Sequence, residues 1–453
     1  MKKILVWVLA LTLALSLSGL AMAGNEAAVT QQGSENKAFV VQTGDNEVVV
    51  DQVGAENEAV VRQTEANDAD VWQNGAGNFA IVDQEGENAA HVTQKGEENV
   101  STVGQDGTTN EVNVLQDGAA NNASAYQYGA DNEANIYQEG QGWGFARGLS
   151  LDNIATVDQN GTGNTAIVYQ TALAAFLAGS TSSNNTASVT QGGSDNLAVI
   201  SQQAAAVLLA GVSVDSNEGT ITQSGDGNKA EIHQGIVQGL GFAATTGNKS
   251  EIEQDGNNNY AGSNQYGTGN ESTQHQKREN GSVYDNYATV YQDGSGNTSK
   301  QLQSRSENIS AVAQLGSGNT VSTRQISRFN LAGIVQIGDG NTAKTRQQDD
   351  VSHISYIGQI GDKNYANIRQ YRTENFAVIV QKDDRNWVDI HQTGDDKGDG
   401  NNNGYVYQSG QGNHNDMTQK GSINNAWVVQ LGTNNSEVVQ TGANNNAVVL
   451  QSN

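Results

Sequence analysis

The chain of 453 residues contains no proline and no cysteine. Average usage would place roughly 20 prolines in this length. Proline cannot donate to a β-ladder, so its absence fits a structure that uses nearly every backbone N–H in continuous ladders. The lack of cysteine excludes disulfides and thiolate chemistry. Aromatics make up 6%, and cations are few: 23 Lys and Arg against 49 Asp and Glu give a formal charge of −26. Such a chain repels nucleic acid and anionic membrane, so no nucleic-acid partner is expected. With 53 glycines, composition alone would suit a disordered protein. A strict internal register argues otherwise.

Asn78, Ala80, Val82, Gln84 and Gly86 share one parity, and Phe79, Ile81, Asp83 and Glu85 share the other. Period two marks a strand, closed here by a glycine-containing turn. Asn88 then opens the next copy with Ala90, Val92, Gln94 and Gly96. From Gln31 to Gln451 there are 35 such copies, mostly 11 residues apart. A repeat array is one quasi-one-dimensional body, whatever its length.

The Asn, Ala, Val and Gln slots lie on one face. Ala and Val are small enough for two facing strands to interdigitate. Buried Asn and Gln are costly unless hydrogen-bonded. Stacked on identical amides one rung away, each can donate and accept along a ladder. That role is assigned to Asn78, Gln84, Asn88, Gln94, Gln292, Asn308, Gln314, Asn319, Gln325 and Gln336. The other parity carries Glu26, Thr30, Asp51, Arg62 and Asp83, as a wet face should. Turns such as Gly225-Asp226-Gly227-Asn228 supply residues that tolerate positive φ.

Irregular spacing defines the rung. Large insertions follow copies 11, 13, 15 and 17, five-residue ones follow copies 20 and 30, and most small adjustments fall on even turns. This parity implies two strands per rung. The expected fold is therefore all-β: a two-sided β-solenoid of about 17 stacked rungs, each of roughly 22 residues, making a rod on the order of 80 Å long. The four long inserts are 141–152, 171–184, 203–216 and 235–247, and their apolar stretches include Ala172–Leu177 and Ala205–Leu209. They leave the same edge in consecutive rungs about 4.8 Å apart, too close for stacked helices but right for strands. A local third side of four added parallel strands is expected.

Residues 1–23 read as a secretory signal: Lys2 and Lys3, an apolar run from Ile4 to Leu20, then Ala21-Met22-Ala23. The repeat domain is 24–453. No catalytic constellation is visible, so no enzyme activity, metal or cofactor is expected. His233, His275 and His391 fall on the outward face in copies that are not neighbours. Tyr137 and Tyr169 fall one rung apart and are expected to stack.

The pattern Asn-x5-Gln-x4-Asn-x5-Gln, with Ala or Ser and Val or Ile between, resembles the curlin repeat. Asn78, Gln84, Asn88, Gln94, Asn308, Gln314, Asn319 and Gln325 carry the resemblance, which runs through residues 25–453. The chain is similar to the subunits of curli-type functional amyloid. The resemblance implies a secreted structural protein that polymerises end to end with itself into cell-surface fibres for adhesion and biofilm matrix. It also implies a nucleator subunit and an outer-membrane secretion channel as partners. The chain is longer than typical members, has no glycine-rich export segment before Asn25, and carries inserts foreign to the pattern. The alternative is a monomeric exported solenoid adhesin or polysaccharide-binding surface protein, which would want a flat outward array of one residue type.

Overall fold

The computed structural model describes residues 24–144, 148–176, 179–206, 212–238, 243–277, 283–349, 352–372, 374–394 and 401–452. Residues 1–23, the insert tips and the segments 278–282 and 395–400 lie outside these residues.

The described chain is all-β. Its strands form one 38-stranded sheet. In the regular parts each strand pairs in parallel with the next but one in sequence: Glu26–Ser34 with Glu47–Ala55, and Lys37–Gly44 with Glu58–Glu65. The chain therefore coils, with two strands per turn and like positions stacked. Gln63 lies over Gln84, and Gln314 over Gln336. Burial alternates along each strand, as in Phe376–Lys382. The inward Ala and Val or Ile slots are essentially fully buried, for example Ala80, Val82, Ala90 and Val92. Two strand columns thus face each other across a thin apolar core.

The corners follow from backbone geometry. Where a glycine stands two residues after the Gln, it stacks closely on the backbone at the same position of the next rung. Gly107 has φ +125, and a Cβ there would lie 1.9 Å from the Gly129 carbonyl oxygen. At most corners the residue before the Asn is left-handed but roomier. Gly318 occupies it at φ +66, whereas Glu98, Asp131 and Asn258 occupy it elsewhere with φ of 56, 55 and 54.

The long inserts do build a third side, with two added segments per insert rather than one. Each strand first runs on past its glutamine: Thr165–Phe176 pairs with Glu133–Gly144 and with Leu197–Ala206. The chain then returns through Gly148–Leu151, Ser180–Ser183, Val212–Asp215 and Ala243–Thr246, which stack in register. Ala172, Ala174, Ala204, Val212 and Val214 are buried between the two layers, while Leu173 points outward. Val207, Leu208 and Leu209 lie outside the described residues.

The apolar core is not continuous. One buried cluster runs from Val48 to Ala261 and a second begins at Val290. Between them the Val slot is filled by Gln274 and Gln301, each at most 2% exposed, and the Ala slot by Ser272 and Ser299. Gln274 Nε2 donates to Gly262 O at 2.7 Å and Gln301 Nε2 to Thr289 O at 3.1 Å. Their Oε1 atoms have no partner among the described residues. A buried acceptor left unpaired costs about 1–3 kcal/mol. The double substitution Gln274→Ile, Gln301→Val is therefore expected to stabilise the rod and raise its thermal midpoint. An unchanged or lowered midpoint would show that these amides are satisfied.

Candidate functional site

The candidate site is the pair of amide ladders and the two ends at which they stop. The side chains named from the repeat are all buried, none more than 4% exposed. Gln94, Gln292, Gln314 and Gln336 lie in one glutamine column, and Gln84 and Gln325 in the other. Asn78 and Asn319 belong to one asparagine column, Asn88 and Asn308 to the other.

Each glutamine does two jobs. Gln84 Nε2 donates to Gln105 Oε1 at 2.8 Å, one rung on, and across the core to Asp68 O at 3.1 Å. Its Oε1 accepts from Gln63 at 2.9 Å. The side chain thus ties rung to rung and column to column. Asparagine closes the corner. Asn78 N and Nδ2 both donate to Asn57 Oδ1, at 3.2 and 2.9 Å, and Nδ2 also reaches Gly96 O at 3.0 Å.

The two ladders run in opposite senses. Every glutamine bond points its N–H toward the C-terminal neighbour, from Gln31 to Gln52 at one end through to Gln430 to Gln451 at the other. The asparagine bonds point toward the N-terminal neighbour, from Asn46 to Asn25 through to Asn445 to Asn424. The rod therefore has polarity. Among the described residues its N-terminal end shows the Oε1 atoms of Gln31 and Gln42, and its C-terminal end the Oδ1 atoms of Asn434 and Asn445.

One irregularity escaped the sequence reading. His353 occupies an asparagine slot and is fully buried. Its N–H donates to Asn330 Oδ1 at 3.1 Å, and its Nδ1 accepts from Asn375 N–H at 3.4 Å. The signal was available: Gln347 is followed six residues later by His, not Asn.

The outward histidines stay apart. His391 packs edge-on to Tyr371, and burial together with the Arg369 guanidinium holds its pKa below the usual imidazole value. Tyr137 and Tyr169 stack with centroids 5.1 Å apart. Asp389 and Asp416 face each other on paired strands, as do Asp416 and Glu437. Partial burial, then these neighbours, hold the Asp416 carboxyl above the usual range. Among the described residues no three acidic, histidine or cysteine side chains are grouped to hold a metal.

The sequence pattern of the curlin associated repeat matches this chain at residues 23–46, 107–140 and 330–371. No curated protein matches it significantly. The matched segments fall near the N-terminus, before the inserts and in the C-terminal half, along the same glutamine ladder, and at these three places the chain carries the curlin associated repeat.

Proposed function

We propose that the chain is an extracellular structural subunit, not an enzyme, that joins end to end into cross-β fibres of the curli type for surface adhesion and biofilm matrix. Its family is structural in character. The observation that carries the reading is the fit between the two ends. An odd number of strand copies leaves a half-rung step at each end. A neighbour in the same orientation fits that step by setting Gln31 over Gln440 and Gln42 over Gln451. Both amide ladders then continue, with donor meeting acceptor. A reversed neighbour sets like groups against each other. In the same register Phe39 and Val41, 57% and 44% exposed, meet Val448 and Leu450, 70% and 72% exposed. Such a contact is heterologous and does not close, so it makes a fibre.

The test is to follow the purified chain by fibre diffraction and electron microscopy, with Val449→Lys beside it. Val449 points inward on the last described strand and packs against the second apolar cluster. The wild type is expected to give fibres with a 4.7–4.8 Å meridional repeat. The variant, which puts a charge into the joint, is expected to elongate at least tenfold more slowly. A wild type that stays monomeric at high concentration would leave the monomeric-adhesin reading in its place.

Assembly should also respond to pH. The joint sets Glu26 of one chain over Asn435 of the next, diagonal to Glu437, in a protein of charge −26. Carboxylates protonate near roughly pH 4, and salt screens those that do not. Asp416 adds the same sign. An acid whose pKa is raised in the fold is stabilised as pH falls through that value, and the benefit is lost as pH rises. Growth is expected to be faster near pH 4, or in high salt, than at pH 8 in low salt. A rate independent of both would contradict the electrostatic account.

A further inference from the structure

Seven strands of one column, Ile309–Ser317, Leu331–Ile337, Ile354–Ile360, Phe376–Lys382, Asn403–Ser409, Asn425–Leu431 and Asn446–Ser452, pair in register. Their outward positions form a continuous face on which Lys382 is the single charged residue. The opposite face of the same rungs carries Arg324, Lys344, Arg346, Arg369, Asp389 and Asp416, among others. The N-terminal part of the same column is acidic, with Glu47, Asp51, Asp68, Asp70 and Glu111 outward. A two-sided solenoid buries its core between the columns, so the fold does not require any outward face to be apolar.

The face is flat and its rings are held in place. A Cβ at Gly333 or Gly358 would come within 3.3 Å of the Tyr356 ring, which spreads over both glycines. Tyr405 packs against Phe376 at 5.3 Å and against Trp427 at 4.5 Å. Trp427 is still 52% exposed and Ile360 46%. Rigid, half-exposed aromatic and branched side chains lose little entropy on docking, which is the character of interface anchors.

We infer that this face is a lateral interface between two copies of the chain. Seven rungs at about 4.8 Å by seven residues at about 3.3 Å give about 770 Å² per copy. A standard stable interface needs about 800 Å² per partner, and an isolated soluble protein rarely leaves a patch of this size uncovered. Charge selects the partner. Elsewhere two chains of −26 repel each other, and the same net charge, with the acidic N-terminal part of this column, repels an anionic surface. Here one copy meets another with no carboxylate in the contact. The pairing of two chains stands without the fibre reading, and its extension along a fibre rests on it. There the half-rung step turns each successive chain by half a revolution, so the patches recur on alternating sides and fibres associate into bundles.

The test compares the wild type with a face variant, Ile337→Glu, Val378→Glu, Trp427→Glu, and a charge-matched control on the opposite face, Thr320→Glu, Thr342→Glu, Thr418→Glu. All six positions point outward, and thermal midpoints check that the rod is intact. By sedimentation equilibrium, wild type and control are expected to form dimers before any fibre appears, and the face variant to weaken dimerisation at least tenfold. By electron microscopy, wild type and control fibres should bundle and face-variant fibres remain single. A monomeric wild type that gives only single fibres would overturn the inference and leave the fibre reading standing. Equal loss of pairing in face variant and control would overturn it as well. So would a wild-type chain that stays unpaired yet binds zwitterionic lipid vesicles through this face. Wild-type dimers lost only in the face variant, with no fibres at any concentration, would support the lateral interface and sink the fibre reading.

Discussion

Gly107→Ala is expected to cost about 4 kcal/mol or more, which places it in the exceptional tail of single substitutions. Two effects add. The backbone at φ +125 lies in a region that L-residues rarely adopt, and the new Cβ would sit 1.9 Å from the Gly129 carbonyl oxygen and 2.8 Å from its carbon. Nothing flexible can give way, because the obstacle is backbone held in the ladder on both sides. The rung must tilt or the chain must leave the corner. Gly318→Ala is the contrast. Its φ of +66 is the ordinary left-handed region, and no atom lies within 4 Å of the added carbon. Only the intrinsic left-handed penalty of about 1–2 kcal/mol remains. Thermal midpoints of the two variants should differ by several degrees. Equal losses would mean that the first glycine owes its place to chain flexibility and not to close approach.

Gln314→Leu is expected to be the most damaging conservative-volume change on the ladder. Gln314 is fully buried. It accepts from Gln292 at 2.8 Å and donates to Gln336 at 3.0 Å and to Thr298 O at 3.1 Å. Leucine fills the space but offers no polar atom, so a donor on one flanking rung and an acceptor on the other are left short. At about 1–3 kcal/mol for each, the loss is some 2–6 kcal/mol. Gln31→Leu removes one bond, to Gln52 at 2.6 Å, at a site open to water. Its loss should be under about 1 kcal/mol, since water replaces the missing partner. Chemical or thermal unfolding of the two variants distinguishes a continuous buried ladder from a row of independent surface amides, for which the losses would be equal.

The period, the inward and outward parity, the two strands per rung and the buried amide slots were legible from the residues alone. Side chains alternate across a strand, so the spacing of Gln84, Gln94 and their counterparts fixes which positions share a face before any coordinate is known. The inserts on alternate turns announced the two columns, because an insertion survives only at an edge. Tertiary structure decided what depends on the contact between turns. Stacked glutamines are 21 residues apart at Gln52 and Gln73 but 32 apart at Gln138 and Gln170, yet the bonds are 2.7 and 2.8 Å. Only the closed coil brings such pairs together. The opposed senses of the Gln and Asn ladders belong to the same class, since an amide's orientation is set by its neighbours above and below. So does the tight corner at Gly107: the sequence marks both turn glycines alike, and the next rung makes one of them obligatory. The return path of the inserts was misjudged for this reason as well, because the expected single strand would have left one layer uncovered, and a second segment buries Ala172, Val212 and Val214. The apolar outer face escaped notice because each of its strands shows only four or five outward positions. Their sum becomes a surface when seven strands, separated by polar copies in the sequence, are laid side by side in space.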